Sequence, residues 1–204
     1  MDEQYFSDSS PASADEIRTI EVSARGFALS MRVSSRVFSG SKLDFGTRQL
    51  LEIAPDLPDG GTFLDLGCGW GPIATIMSLE SPHAAVWAVD VNSRAVDLTQ
   101  RNAQSNGATG VRALKAEEAL AVSQESDTHF DVIWSNPPVR IGKDAMHEML
   151  LAWLSRLAPT GVAYLVVQRN LGADSLITWL SGQGYQASKY ASKKGFRIIE
   201  VRPA

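Results

Sequence analysis

Apolar positions along this chain recur with two different periods, and the change of period divides it. Between residues 17 and 33, Ile20 and Val22, then Phe27, Leu29, Met31 and Val33, take every second place on either side of Arg25-Gly26. A period of two lines one face of an extended strand, so this stretch predicts a β-hairpin turning at Arg25-Gly26. From Asp44 to Ile53 the spacing becomes helical, with Phe45, Leu50, Leu51 and Ile53 on one side, and Pro55, Pro58 and Gly60-Gly61 end it. Beyond residue 60, short apolar runs alternate with amphipathic ones. Runs near 62–66, 85–90, 111–114, 130–135, 161–168, 185–190 and 196–202 predict strands. Stretches near 71–80, 93–105, 116–122, 143–157 and 172–182 predict helices. Strands apolar on both faces, with helices between them, predict a parallel sheet covered on both sides. Only a turn around Ser192-Lys193-Lys194-Gly195 separates the last two strands, so they should pair antiparallel. Residues 1–16 have little to bury and predict a flexible tail. A single domain is expected over 17–204, with the hairpin and a helix cap in 17–55 and the α/β core in 60–204.

Composition narrows the setting. The chain has 204 residues, 44% hydrophobic and 21% charged, which is ordinary for a soluble globular protein. No stretch approaches the roughly 18 apolar residues of a membrane span, and the acidic, polar N-terminus lacks a secretion pattern. One cysteine, Cys68, excludes an internal disulfide and a cysteine-rich zinc site. These features favour the cytoplasm. The net charge of −4 does not mark a nucleic-acid binder. Basic residues nevertheless gather at Arg25, Arg32, Arg36, Lys42 and Arg48, and at Lys189, Lys193, Lys194, Arg197 and Arg202. Such segments either bind phosphates or form solvated surface.

Candidate chemistry lies at two strand ends. The first is Phe63-Leu64-Asp65-Leu66-Gly67-Cys68-Gly69-Trp70-Gly71, a buried strand running into a glycine turn that opens a helix. Glycines let a ligand approach the backbone, and the helix start points free N–H groups at it. A dinucleotide loop wants Gly-x-Gly-x-x-Gly, but Pro72 holds the third glycine position, which counts against a nicotinamide or flavin cofactor. With no pyrophosphate to bind, the loop suits the methionine part and ribose of S-adenosyl-L-methionine. Val86-Trp87-Ala88-Val89-Asp90 ends in an acid nineteen positions after Gly71. A carboxylate there can accept from both ribose hydroxyls. The competing role of helix cap is better filled by Asn92 or Ser93. Val91 adjoins Asp90 on the cofactor side. Glu117, after the third core strand, is a candidate for the adenine amino group. Glu118 competes with it, and both also suit the first turn of a helix.

The second strand end is Val132-Ile133-Trp134-Ser135-Asn136-Pro137-Pro138. Two prolines stiffen the turn and bias Asn136 to an extended backbone. The Asn136 side-chain oxygen and the Pro137 carbonyl can then accept both hydrogens of a planar amine. That would turn its lone pair toward a methyl donor, so positioning supplies much of the rate. The catalytic set read from the chain is Asn136, Pro137 and Pro138, with no metal.

These residues resemble the class I S-adenosylmethionine-dependent methyltransferases. More narrowly they resemble the subgroup of bacterial small-subunit ribosomal RNA guanine-N2 methyltransferases. Val37-Phe38-Ser39 and Leu43-Asp44-Phe45-Gly46-Thr47-Arg48-Gln49-Leu50-Leu51 are similar to that subgroup's segment ahead of the glycine loop. The resemblance covers about residues 18–202. It implies an α/β, Rossmann-like, seven-stranded, mostly parallel sheet with an antiparallel last strand pair and an appended N-terminal hairpin. It implies Asp65, Gly67, Cys68, Gly69, Gly71, Asp90, Thr47 and Asn136 at the cofactor, with S-adenosyl-L-homocysteine as product. It also implies a segment, with Arg36 and Phe38, that closes over the cofactor and shapes the substrate pocket. Ribosomal RNA or the small ribosomal subunit is the implied partner.

Two departures stand out. Many amine methyltransferases follow Asn-Pro-Pro with an aromatic residue that stacks on the target base. Here Val139 and Arg140 follow. Stacking is worth about 1–3 kcal/mol per base, and Arg140 can stack through its guanidinium plane or bind a phosphate. The two-domain members also carry an extra N-terminal domain, absent from this sequence, which implies a different recognition mode. A protein glutamine amide and an adenine amino group present the same planar NH₂ and remain alternatives. A non-catalytic S-adenosylmethionine-binding module is a further one.

Overall fold

The computed structural model describes residue 8 and residues 10–204. A hairpin of β1 (Ile17–Ala24) and β2 (Phe27–Ser34) leads into α1 (Phe45–Ile53). The core then runs β3 (Gly60–Leu66), α2 (Pro72–Glu80), β4 (His83–Asp90), α3 (Ser93–Ser105), β5 (Val111–Lys115), α4 (Ala116–Glu125), β6 (Phe130–Ser135), α5 (Lys143–Leu154), β7 (Leu157–Gln168), α6 (Ala173–Gly182), β8 (Gln186–Lys193) and β9 (Phe196–Arg202). The seven core strands form one sheet in the order β5-β4-β3-β6-β7-β9-β8. Pairs from β5 to β7 are parallel, and β9 runs antiparallel to both β7 and β8. The Rossmann-like sheet and its antiparallel end are therefore as the pattern and the resemblance imply. No helix among the described residues is long and apolar enough to cross a membrane.

Strand alternation builds two separate cores. Phe63, Val132, Trp134, Tyr164 and Val166 face the side covered by the hairpin, α1, α2 and α3. Leu64, Leu66, Ile133, Ala163, Leu165 and Val167 face α4, α5 and α6. Both faces are covered, as strands with apolar residues on both faces require. The chain reverses its winding between β3 and β6, so their carboxyl ends open a crevice at the centre of the sheet.

Three details differ from the sequence pattern or sharpen it. Strand β7 starts at Leu157 rather than near 161, running through Pro159-Thr160-Gly161, which reads as a turn. The register with β6 slips between Phe130 and Val132, and a Cβ on Gly161 would lie 2.6 Å from the Phe130 carbonyl oxygen. That glycine marks a bulge where two backbones meet, not a strand boundary. Of the stretch expected to be loose, residues 1–7 and 9 lie outside the described residues, and the remainder is tied to α3. Arg94, buried in the first turn of α3, donates to the Ser10 carbonyl (2.8 Å) and to Glu16 Oε1 (2.9 Å). A buried guanidinium needs acceptors, and this segment supplies them.

The hairpin turn is similarly anchored. Arg25 donates to both oxygens of Glu80 and to the carbonyls of Leu51 (3.1 Å) and Ala54 (2.9 Å). Its guanidinium lies over Trp134. Arg25 is therefore an internal tie between hairpin, α1 and α2, and takes no part in a phosphate-binding surface.

Candidate functional site

The glycine loop is bound tightly to the end of β4. Gly67, Gly69 and Gly71 have φ of +79°, +58° and +85°, left-handed values that side chains disfavour. Gly67 and Cys68 both donate their N–H to the Val89 carbonyl, at 2.9 and 3.0 Å. Gly69 donates to Asp90 Oδ2 at 3.0 Å. The Cys68 N–H thus has a protein acceptor, and its buried sulfur receives the Thr99 hydroxyl at 3.3 Å. Burial, with the nearby Asp90 and Asp65, pushes the thiol well above its ordinary pKa. A Cβ on Gly71 would stand 2.8 Å from the Thr99 side chain, so this glycine lets α2 and α3 pack closely.

Asp65 sits behind the loop. Its side chain is fully buried; Oδ2 accepts from Ala74 N at 2.9 Å in the first turn of α2, and Oδ1 has no partner. Burial pushes its pKa up to about 8 against the Ala74 N–H, with the Asp90 charge adding to the rise. Asp90 accepts from Gly69 N and, at 2.9 Å, from Asn92 N. Asn92 itself caps α3 by accepting from Arg94 N, which leaves Asp90 to brace the loop and face the cavity.

A cavity of about 700 Å³ opens at the carboxyl ends of β3, β4 and β6. Its size is typical of a small-molecule site, for which about 300–1,000 Å³ is usual. Gly67, Asp90, Val91 and Ala116 line one part, and Asn136, Pro137, Pro138, Val139 and Arg140 another. Phe38, Ser39 and Asp44 close it from the segment between β2 and α1. Beside it, a crevice of about 30 Å³ lies between Cys68-Gly69-Trp70 and that segment, reaching Thr47 and Asn136. The Trp70 indole N–H donates to the Ser39 carbonyl at 3.2 Å, pinning the segment to the glycine loop.

Asn136 occupies the junction of the two spaces. Its Nδ2 donates to Asp44 Oδ2 (2.8 Å) and Thr47 Oγ1 (3.1 Å). A carboxylate only accepts, so the atom facing Asp44 is the NH₂ group and not the oxygen. Oδ1 consequently lies on the side of the carboxamide away from Asp44. The Pro137 carbonyl already accepts from Val139 N at 2.8 Å, which leaves one lone pair.

The fold thus gathers Thr47, Gly67, Cys68, Gly69, Asp90, Val91, Asn136, Pro137, Pro138, Val139, Arg140 and Phe38 around the two spaces. Four other candidates stand off the walls. Asp65 is under the loop, and Gly71 packs on Thr99. Glu117 is exposed in the first turn of α4, as is Glu118. Arg36 is exposed, and only its carbonyl is engaged, accepting from Asn92 Nδ2 at 2.9 Å. Phe196 and Arg18 line the cavity without any sequence signal, since each comes from a strand remote from both motifs. Asp44 carried one: an acid three residues before Thr47 at a helix start is a capping pattern, and it does cap α1.

Three cations of the C-terminal basic segment meet an acid. Lys193 pairs with Glu52 (3.1 Å), Arg197 with Asp174 (3.0 Å) and Arg202 with Glu200 (2.9 Å).

Comparison with known proteins gives a consistent set of likenesses. The family model described as methyltransferase small domain matches residues 28–200. A Bacillus subtilis (strain 168) protein described as "Uncharacterized protein YbxB" is 32% identical over 202 residues, covering 99% of each chain. The ribosomal RNA small subunit methyltransferase C of Chromohalobacter salexigens is 31% identical over 172 residues, covering 81% of this chain and 49% of that one. Among solved structures, the Thermus thermophilus 16S rRNA N2 G1207 methyltransferase in complex with AdoMet and guanosine superposes with a TM-score of 0.73 at 23% identity. It covers 96% of this chain and 53% of its own. The chain spans about half the length of that methyltransferase C relative.

Proposed function

We propose that this chain, which belongs to the methyltransferase small domain family and uses S-adenosylmethionine, methylates an exocyclic amine of ribosomal RNA, the N2 of a guanine. The observation that carries the reading is the Asn136 carboxamide. Its NH₂ is engaged by the protein, so the cavity meets an acceptor oxygen. An acceptor at that point suits a ligand with hydrogens to donate, as an amine has. The remaining lone pair of the Pro137 carbonyl is the second acceptor.

The cavity residues fit the donor. Gly67 leaves its wall open, for a Cβ there would meet nothing within 4 Å, and the Asp90 carboxylate suits the ribose hydroxyls. Bound S-adenosylmethionine supplies an electrophilic methyl on a sulfonium. Asn136 and Pro137 hold the two amine hydrogens and turn the nitrogen lone pair toward the donor's end of the cavity. As the N–C bond forms the S–C bond would break to leave S-adenosylhomocysteine, and the amine, acidic only once methylated, would lose its proton to water without a strong base. Positioning then supplies most of the rate. Phe38, 40% exposed on the cavity wall, offers the stacking face that Val139 lacks. A ribosomal acceptor implies work in the cytoplasm.

The test uses S-adenosylmethionine labelled in its methyl group, incubated with ribosomal subunits, naked ribosomal RNA, DNA and protein extract from a strain lacking the gene. The expected product is labelled RNA that digests to N2-methylguanosine. Label in a glutamine amide or in adenine would move the acceptor elsewhere. Asn136→Ala should abolish transfer while leaving cofactor affinity nearly intact; near-full turnover would end the amine-holding role.

A further inference from the structure

The orientation of Asn136 is itself imposed, and the residues imposing it lie about ninety positions upstream. Asp44 Oδ2 accepts two hydrogen bonds, from Thr47 N (3.0 Å) and Asn136 Nδ2 (2.8 Å). The Thr47 hydroxyl takes the second amide hydrogen at 3.1 Å. With both hydrogens engaged, the planar carboxamide can neither rotate nor flip without losing a bond. One acid therefore both caps α1 and sets the acceptor of a loop on β6.

The packing around this cluster supports the same conclusion. A Cβ on Gly46 would stand 3.0 Å from Asp44 Oδ2, 3.0 Å from the Phe196 ring and 3.4 Å from Asn136 Nδ2. A side chain at position 46 would therefore press on the acid and on its Asn136 partner. Trp70 pins the preceding residues through Ser39.

We propose that Asp44 and Thr47 are positioning residues: they lock the Asn136 carboxamide with its oxygen toward the acceptor amine. This rests on the amine-methylation reading, and the experiment separates the two. Asp44→Ser is the informative variant, because serine caps a helix as well as aspartate but is too short to hold both partners. Asp44→Asn keeps an oxygen that accepts from both, and is the conservative rescue. Thr47→Val keeps shape and removes the hydroxyl.

Each variant is measured for melting temperature, cofactor Kd, kcat on the RNA acceptor, and solvent exchange of the Asn136 side-chain amide by NMR. The amide signal is assigned by its loss in Asn136→Ala. In Asp44→Ser, kcat should fall on the order of tenfold to a hundredfold, the value of one charge-assisted bond. Melting temperature and cofactor Kd should stay close to wild type. The amide should exchange at least about tenfold faster. Asp44→Asn should restore most of both, and Thr47→Val should show a smaller loss of each. Unchanged exchange in Asp44→Ser, or an unchanged kcat, would overturn the positioning role. A fall in kcat that tracks a fall in melting temperature, with exchange unchanged, would reduce Asp44 to a cap. If wild type labels no RNA, the guanine reading fails, and the exchange measurement still decides whether Asp44 and Thr47 lock the amide.

Discussion

Burial, with the charge of Asp90 nearby, pushes the Asp65 carboxyl well above the ordinary carboxylate range, against the one hydrogen bond it accepts from Ala74 N. Its folded pKa of about 8 stands above the ordinary 3.8, so the folded state binds more protons than the unfolded one between those values. Stability contributed by this group therefore falls as pH rises through that window and levels off above about 8. Asp65→Asn removes the ionisation and keeps an acceptor for Ala74 N. Urea denaturation of both proteins from pH 5 to 9 should show the variant gaining on wild type as pH rises; parallel profiles would mean Asp65 stays charged. Burial pushes Asp90 up as well, partly offset by the N–H groups of Asn92 and Gly69, but unlike Asp65 it lines the cavity. Asp90→Ala should weaken cofactor binding on the order of tenfold to a hundredfold, read by calorimetry. Stacking belongs to the same scale. Phe38→Ala should cost about 1–3 kcal/mol in kcat/KM for RNA, while Val139→Ala changes it little.

Elements here meet through small residues and shared polar groups. Helices α2 and α3 approach where Gly71 faces Thr99, with no space for a methyl group and a left-handed backbone besides. Gly71→Ala should cost about 2–4 kcal/mol of stability, measured by urea denaturation, from strain and overpacking together. An effect confined to cofactor affinity, with stability unchanged, would instead place Gly71 on the ligand. The loop joining β3 to α2 shows how far a motif can be read. Its glycines, its helix start at Pro72 and its acid partner at Asp90 were all visible as spacing. That its N–H groups turn to Val89 and Asp90 was not visible, because backbone direction depends on where β4 lies.

Across the whole molecule, charge in the sequence is a poor guide to charge available at the surface. Arg25 is half-buried among Glu80 and carbonyl groups, and Lys193, Arg197 and Arg202 each meet an acid. Arg25→Met should lower stability by about 3 kcal/mol and leave the salt dependence of RNA binding unchanged. The sequence by itself determined the order of elements, the parallel sheet, the antiparallel end and the two loops that face its central crevice. Those follow from local periods, glycine turns and proline stops, each contained in a few neighbouring residues. Only the tertiary structure decided that Asp44 and Thr47 grip Asn136, that Asp65 and Gly71 stand behind the loop, and that Phe196 joins the cavity. Each of those contacts joins segments that spacing along the chain does not relate, and a side chain's partner is set by which strand ends the sheet brings together.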